Sequence, residues 1–480
     1  INNWMIFQND TTFVFSLYEK NIKYRLSSRK DDIDKRQKQI IIPLNLIEQI
    51  ISRKFLFYNQ ALEIFLFNGK SYLFNFYENN SANEFILNLK EEYKIYNINL
   101  PEIINDPIAY FHNKNYTNEW LEGKLSTLRY LLLVNKFSDR TYNNLTQYLI
   151  FPWLLKDYSD IKDNKNFRKM EFPMAVQDKD RLELVKKEYE NESDSEYKSY
   201  FSYHYSNSAN ICLYLLRLNP FTYNQIKLNG NFDSPERQIE SLQDMCYVLR
   251  EFKENSELVP EYFFMVECFL NLNFNYFGVK IIDPNKKSLV NNIKLTVDFT
   301  SLFEMVLFHK NFINSKEISS NINKWIDNIF GENQITSKKN VINSFPSGCY
   351  EKFVKEGIDS IVSEIRKVNP NSEDYEAKTK KAIKDIRSLT DRAYLFGHCP
   401  TQLFQKSHPQ KIEQMSDLNE ECKVEGNIIS ESFIPISDVL YFNCKNENNN
   451  IYFLTNDLIF VCDKSLKPIK TIEIKKIYNI

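Results

Sequence analysis

Over residues 1–77 the apolar positions fall in short β-branched or aromatic runs separated by polar turns, the pattern of antiparallel strands. Residues 4–7, 12–15 and 40–42 are such runs, and 55–58 and 62–67 continue the series. Asn68-Gly69 reads as a hairpin turn, because both residues accept positive φ, and 72–76 is its partner strand. Past Asn79-Asn80 the period changes. Phe85, Ile86, Leu89 and Tyr93 recur at helical spacing, so one helix closes the unit. Strands capped by a C-terminal helix predict a small β-roll over 1–100.

Pro101 and Pro107 bracket a linker, after which the pattern is mostly helical to residue 411. Helices are predicted at 121–134, 182–190, 209–218, 322–330 and 350–368, with a charged, exposed one at 373–392. The stretches between them, such as 157–174 and 271–298, are long, polar and Pro-containing, which is unusual inside a compact domain. From 412 the texture returns to strands, at 440–442, 451–454, 458–461 and 470–474, as in the first blade of a β-propeller. The expected fold class is therefore α+β, with three parts: 1–100, 101–411 and a β-rich 412–480.

The 480 residues are 43% hydrophobic and 15% aromatic, enough for two or three packed cores. The 61 basic and 63 acidic side chains nearly cancel, so no net field calls for nucleic acid. The longest charge-free run, 199–216, carries Ser, Asn, His and Tyr throughout, and no transmembrane helix is expected. The chain starts at Ile1 in strand-like sequence with no signal peptide, as a piece of a longer protein would. Eight scattered cysteines without a CxxC pair read as reduced, cytosolic thiols.

One loop is dense in charge. Arg25, Arg29, Lys30, Lys35, Arg36 and Lys38 alternate with Asp31, Asp32 and Asp34. It reads either as a solvated loop or as a site for phosphoinositide headgroups, the latter weakened by the aspartates. Enzyme chemistry has little support. With 9 glycines in the chain, glycine-rich phosphate cradles are all but excluded. Cys399 between His398 and Pro400, with His408 nearby, has the residue types of a nucleophile or zinc site. Adjacent side chains diverge and a fourth ligand is missing, so a packing role is expected instead. No catalytic residue, metal or cofactor is expected.

The middle of the chain carries an ordered series of motifs. Trp120, Gly123, Leu125, Ser126, Tyr130 and Leu131 fit W-x-x-G-x-[IL]-S…Y-L. Arg140, Tyr142, Asn143, Leu145, Gln147, Tyr148, Phe151, Pro152 and Trp153 fit R-x-Y-N-D-L-x-Q-Y-P-x-F-P-W, with Asn144 for Asp and Leu149 for Pro. Phe167-Arg168 with Pro173-Met174, then His204-Tyr205-Ser206, Arg217 with Pro220-Phe221-Thr222, and Phe232-Asp233 with Arg237 follow in order. Pro260-Glu261-Tyr262, then Asn271, Asn273 and Gly278, then Trp325-Ile326-Asp327 and Phe396-Gly397 with Gln402-Leu403-Phe404 complete it. The series resembles the BEACH domain over about three hundred residues. Arg53-Lys54-Phe55 with Ala61-Leu62-Glu63-Ile64-Phe65 resembles the PH-like domain that precedes BEACH domains. Two departures stand out. Residues 293–299 replace the family's L-P-P-W-A, and His398-Cys399 replace its Gln-Thr.

The resemblance implies a non-catalytic scaffold of vesicle and membrane traffic that recruits protein partners in the cytoplasm, peripheral to organelle or vesicle membranes. It implies a PH–BEACH groove as the binding site and WD repeats after it. By motif position the groove residues expected are Arg53, Tyr58, Glu63, Trp120, Arg140, Tyr142, Arg217 and Asn273. The rival readings are an anionic-lipid sensor acting through the 25–38 loop and a static architectural protein. Asn143, Gln147, Arg140, Asp233 and Arg237 are expected in the core, capping irregular backbone.

Overall fold

The structure, a computed structural model, describes residues 3–8, 11–18, 20–26, 40–76, 80–191, 198–251, 255–283, 286–296, 298–335, 342–369, 372 and 374–412, together with strands at 441–445, 450–454, 458–462 and 468–473. From residue 27 to 38 the charged loop lies outside the described residues.

The N-terminal unit is built on β1 (Asn3–Gln8), β2 (Thr11–Tyr18), β3 (Asn21–Leu26), β4 (Ile40–Pro43), β5 (Ile47–Phe55), β6 (Tyr58–Leu66) and β7 (Ser71–Phe76), closed by helix α1 (Ser81–Ile95). A short strand β8 (Glu102–Ile104) completes a sheet of order β4-β3-β2-β1-β7-β6-β5-β8. The pairs are antiparallel except β5–β8, in which Gln49, Ile50 and Ile51 run beside Glu102, Ile103 and Ile104. The predicted linker thus becomes an edge strand. Phe85, Ile86, Leu89 and Tyr93 of α1 pack on Ile50, Leu62, Ile64 and Phe74, as the helical spacing requires. Strand β6 buries both faces. Leu62 and Ile64 turn to α1, while Phe65, like Ile51 of β5, packs in the core of the unit that follows. A strand covered on both sides reads as a nearly continuous apolar run, which is why Glu63 is out of place there.

The run at 55–58 is not one strand. The chain reverses between Phe55 and Tyr58 through Leu56 (φ 45°) and Phe57 (φ 73°). Two-residue hairpin loops demand positive φ, normally supplied by Asn-Gly, and bulky residues there cost energy that something else must offset.

The helical unit comprises α2 (Pro107–Asn113), α3 (Tyr116–Leu121), α4 (Thr127–Phe137), α5 (Lys179–Asn191), α6 (Ser208–Tyr214), α7 (Phe221–Asn229) and α8 (Leu242–Glu251). A ribbon of β9 (Val279–Asp283) and β10 (Lys286–Leu289) follows, then α9 (Leu302–Phe312), α10 (Lys316–Ser319), α11 (Ile322–Ile329), α12 (Glu351–Arg366) and α13 (Tyr375–Phe396). Between α4 and α5 the chain is almost wholly irregular yet buried at 146–155 and 173–177, and side chains satisfy its backbone. Asn135 accepts from Ile150 N and donates to Ile150 O. Gln177 donates to the carbonyls of Lys169, Phe172 and Pro173. Trp153 is fully buried and donates to Ser256 O at 3.0 Å, beside the paired Arg168 and Glu257 at 2.6 Å. Gln147 and Arg140 cap backbone as expected, but Asn143 is exposed and bonds the side chains of Glu63 and Ser71 rather than backbone, and Arg237 is exposed and pairs with Asp233 at 2.5 Å, outside the core.

Residues 441–473 form a separate unit. Its strands β11 (Tyr441–Lys445), β12 (Asn450–Leu454), β13 (Leu458–Cys462) and β14 (Pro468–Glu473) pair antiparallel in chain order.

Candidate functional site

The candidate site is the seam where the N-terminal sheet meets the helical unit. Arg53 on β5 and Glu63 on β6 lie diagonally across the hairpin, both almost fully buried, with Nε donating to Oε2 at 2.8 Å. A buried charge is tolerable only when paired and hydrogen-bonded, and the helical unit supplies the remaining partners. Thr141 Oγ1 donates to Glu63 Oε1 at 2.5 Å, Asn143 Nδ2 donates to the same oxygen at 3.0 Å, and Arg53 donates to the Lys136 carbonyl. Gln147 donates to Lys54 O at 2.8 Å, and Lys54 N donates to Asp139 Oδ1 at 3.2 Å. The N-terminal end of the 140–153 motif therefore stitches one unit to the other.

The strained turn explains itself here. Phe57 is buried against Val354 and Ala393, its ring edge-on to that of His398 at 4.7 Å. Burying a Phe contributes on the order of 2–3 kcal/mol, which offsets part of the backbone strain of the turn. Sequence reasoning missed this peg because no turn residue announces it. Lys54, Thr141 and Asp139 were missed as well, being ordinary residues whose role comes only from the docking.

The residues expected in a groove separate into groups. Arg53 and Glu63 glue the seam, and Tyr58 sits at its edge, half-buried, with the Lys355 ammonium 5.7 Å from its ring centre. Arg140 is fully buried, donating to Thr146 O and His398 O. Tyr142 is 46% exposed and packs edge-on to Tyr148. Trp120 lies deep in the helical unit, stacked on Tyr130 at 4.9 Å and donating to Thr127 Oγ1. Arg217 is buried, bound to the carbonyls of Asn291 and Ile239, and its own carbonyl accepts from Asn273. Trp120, Arg140 and Arg217 are enclosed by the chain itself.

Two cavities flank the seam. One of about 430 Å³ is lined by Ser52, Arg53, Asn59, Asn83, Asp106 and Asp139 among others. The second, about 370 Å³, is lined by Lys54, Tyr350, Glu351, Lys352, Lys355 and Gln402 among others. Burial pulls the Glu351 carboxyl up, but Lys355 and Lys54, at 2.6 and 2.8 Å, outweigh it and hold its pKa below the ordinary value.

Chemically the buried layer beneath is quiet. Burial, aided by the Arg140 charge, pushes the His398 pKa down to about 3. Burial, with Cys349 nearby, raises the Cys399 thiol well above its ordinary value. At neutral pH the imidazole is therefore too weak a base to take the proton of so weakly acidic a thiol, and the two are mismatched as a nucleophilic pair. His408 instead meets the Tyr130 hydroxyl at 2.7 Å. Among the described residues no three His, Cys, Asp or Glu side chains are placed to hold a metal ion.

Comparison with known proteins adds to this geometry. Residues 118–411 match the family model described as Beige/BEACH domain, and residues 2–90 match PH domain associated with Beige/BEACH. Over 310 residues, 62% of this chain, the sequence is 32% identical to BEACH domain-containing protein A2 of Arabidopsis thaliana. Over 390 residues, 77% of the chain, it is 30% identical to Protein SPIRRIG of the same plant. These alignments span 8% and 10% of the two relatives, so the chain corresponds to about a tenth of their length.

Proposed function

The chain belongs to the BEACH domain family, with the accompanying PH domain before it, and on that premise we propose that it is a non-catalytic scaffold of membrane traffic whose protein partners dock along the PH–BEACH seam. The observation that carries the reading is the buried network of Arg53, Glu63 and Thr141, with exposed Asn143 at its rim. It locks the two domains in one geometry, so the flanking clefts keep a fixed shape, and a preformed cleft binds without an ordering cost. Lys54, Lys352 and Lys355 around the second of these clefts suit an acidic segment of a partner, with Tyr58 as an aromatic anchor beside them. The titration states of His398 and Cys399 support a site that binds rather than reacts. The four antiparallel strands at 441–473 support a first propeller blade, and the working place is peripheral to organelle or vesicle membranes.

Affinity capture with the full chain and with Lys355→Glu, followed by mass spectrometry, tests the reading. The expected result is a defined set of proteins retained by the native chain and lost by the variant. An unchanged set would place the docking surface elsewhere.

A further inference from the structure

The segment between Cys268 and Ile293 inverts the usual rule of burial. In Asn271-Leu272-Asn273-Phe274-Asn275-Tyr276 the asparagines tie the backbone down while Leu272, Phe274 and Tyr276 stand in solvent, Phe274 at 92% exposure. Asn271 clamps the loop at both ends. Its Nδ2 donates to Asn275 O at 2.8 Å, and its Oδ1 accepts from Asn275 N at 3.0 Å. The same Nδ2 reaches Asn291 Oδ1 at 2.9 Å, and Asn292 Oδ1 accepts from Asn271 N, which fastens the loop to the chain leaving β10. Asn273 donates to Arg217 O, and Phe277 is buried under the Arg217 guanidinium. Gly278, at φ 95°, passes Pro235 so closely that an added Cβ would lie 2.4 Å from its ring. The tip itself is strained: Phe274 has φ 52°, a conformation a bulky residue seldom adopts. A loop pinned at this many points, with its largest apolar side chain aimed outward, is a built projection.

The ribbon that follows repeats the arrangement. Val279 pairs with Leu289 and Ile281 with Lys287, so these four share one face by the period of two. All four are exposed. The other face carries Lys280 and Ser288, which turn to Glu240; Ser288 Oγ donates to Glu240 at 2.7 Å and Lys294 Nζ at 3.0 Å. Lys280, Lys287 and Lys294 against Glu236 and Glu240 leave one excess positive charge, and Lys287 is the lysine on the apolar face.

We propose that this projection, Leu272, Phe274 and Tyr276 with the Val279–Ile281–Leu289 ribbon face, inserts into the headgroup layer of an anionic lipid bilayer. A convex tip suits a fluid layer that closes around it, whereas a protein partner would need a matching socket. Phe and Tyr take the boundary between acyl chains and headgroups, and Lys287 beside them meets the anionic phosphates. Among the described residues no helix is long and apolar enough to cross a membrane, so attachment by these residues is attachment at the surface. The inference does not depend on the seam as a partner site.

Vesicle sedimentation of the full 480-residue chain tests it, with phosphatidylcholine alone and with added phosphatidylserine. The native chain should sediment with the anionic vesicles, more weakly at high salt. Phe274→Asn should lower the partition about tenfold or more, the effect of withdrawing one Phe side chain from an apolar layer. Its unfolding midpoint should hold or rise, because Asn accepts the left-handed backbone. Lys287→Glu should lose roughly tenfold on anionic vesicles and little on neutral ones. A native chain that stays in the supernatant with both vesicles overturns the proposal, as does a Phe274→Asn variant that sediments like the native chain.

Discussion

Glu63→Ala probes the seam most directly. The change strips the fully buried Arg53 guanidinium of its counter-charge and leaves the Thr141 hydroxyl without its acceptor, while Asn143, which is exposed, can turn to water. Removing one partner of a buried ion pair costs about 3–5 kcal/mol, and an orphaned buried hydroxyl adds about 1–2 kcal/mol. At about 2 °C per kcal/mol for a unit of this size, Tm should fall by roughly 10 °C. The double variant Arg53→Met, Glu63→Leu should lose much less than Glu63→Ala alone, because no charge is then buried without a partner. Calorimetry of the native chain, Arg53→Met, Glu63→Leu and the double variant closes the cycle. A Glu63→Ala midpoint within about 2 °C of native, or a double variant that costs the sum of the singles, would show that the pair does not hold the seam.

Two further outcomes follow from the core. Trp153→Ala removes a fully buried indole and its bond to Ser256, at about 3–5 kcal/mol, and should cut soluble yield sharply; normal yield and an unchanged melting curve would refute the packing argument. Burial raises the Glu261 pKa to about 7 even though Tyr148 donates to it at 2.5 Å. Its folded pKa therefore exceeds the ordinary carboxylate value, so the stability it contributes is full below about pH 4.5 and is lost as pH rises through about 7. Glu261→Gln should gain on the native chain in melting temperature between pH 5 and 8, and a constant offset across that range would contradict the assignment.

Much of the architecture was legible because local signals agreed with the global fold. Asn68-Gly69 turns where its chemistry says, α1 buries the stripe Phe85, Ile86, Leu89 and Tyr93, and α11 and α12 start and stop within a residue or two of the periodic pattern. The irregular stretch between α4 and α5 was legible too, since Asn and Gln among aromatics mark backbone that side chains must satisfy. What stayed hidden depends on contacts far along the chain. The Leu56-Phe57 reversal has no turn residue, because its conformation is imposed by a socket at residues 354–398. Strand β8 is three residues long and is a strand only because β5 offers it an edge. Motif position ranked Trp120, Arg140 and Arg217 beside Arg53, but position along a motif does not say which way a side chain points.

The Phe57 peg also fixes an order of events during synthesis. The strands and helix that surround it are complete once residue 100 has been made, yet Val354, Ala393 and His398 emerge from the ribosome some 250 to 300 residues later. At roughly 5–20 residues per second, the nascent chain displays a bare aromatic on a hairpin tip for about 13–60 s. The N-terminal domain is thus born with an adhesive end that only its own C-terminal helices cover, and a ribosome that stalls before residue 350 leaves that end open to chaperones or to a neighbouring chain.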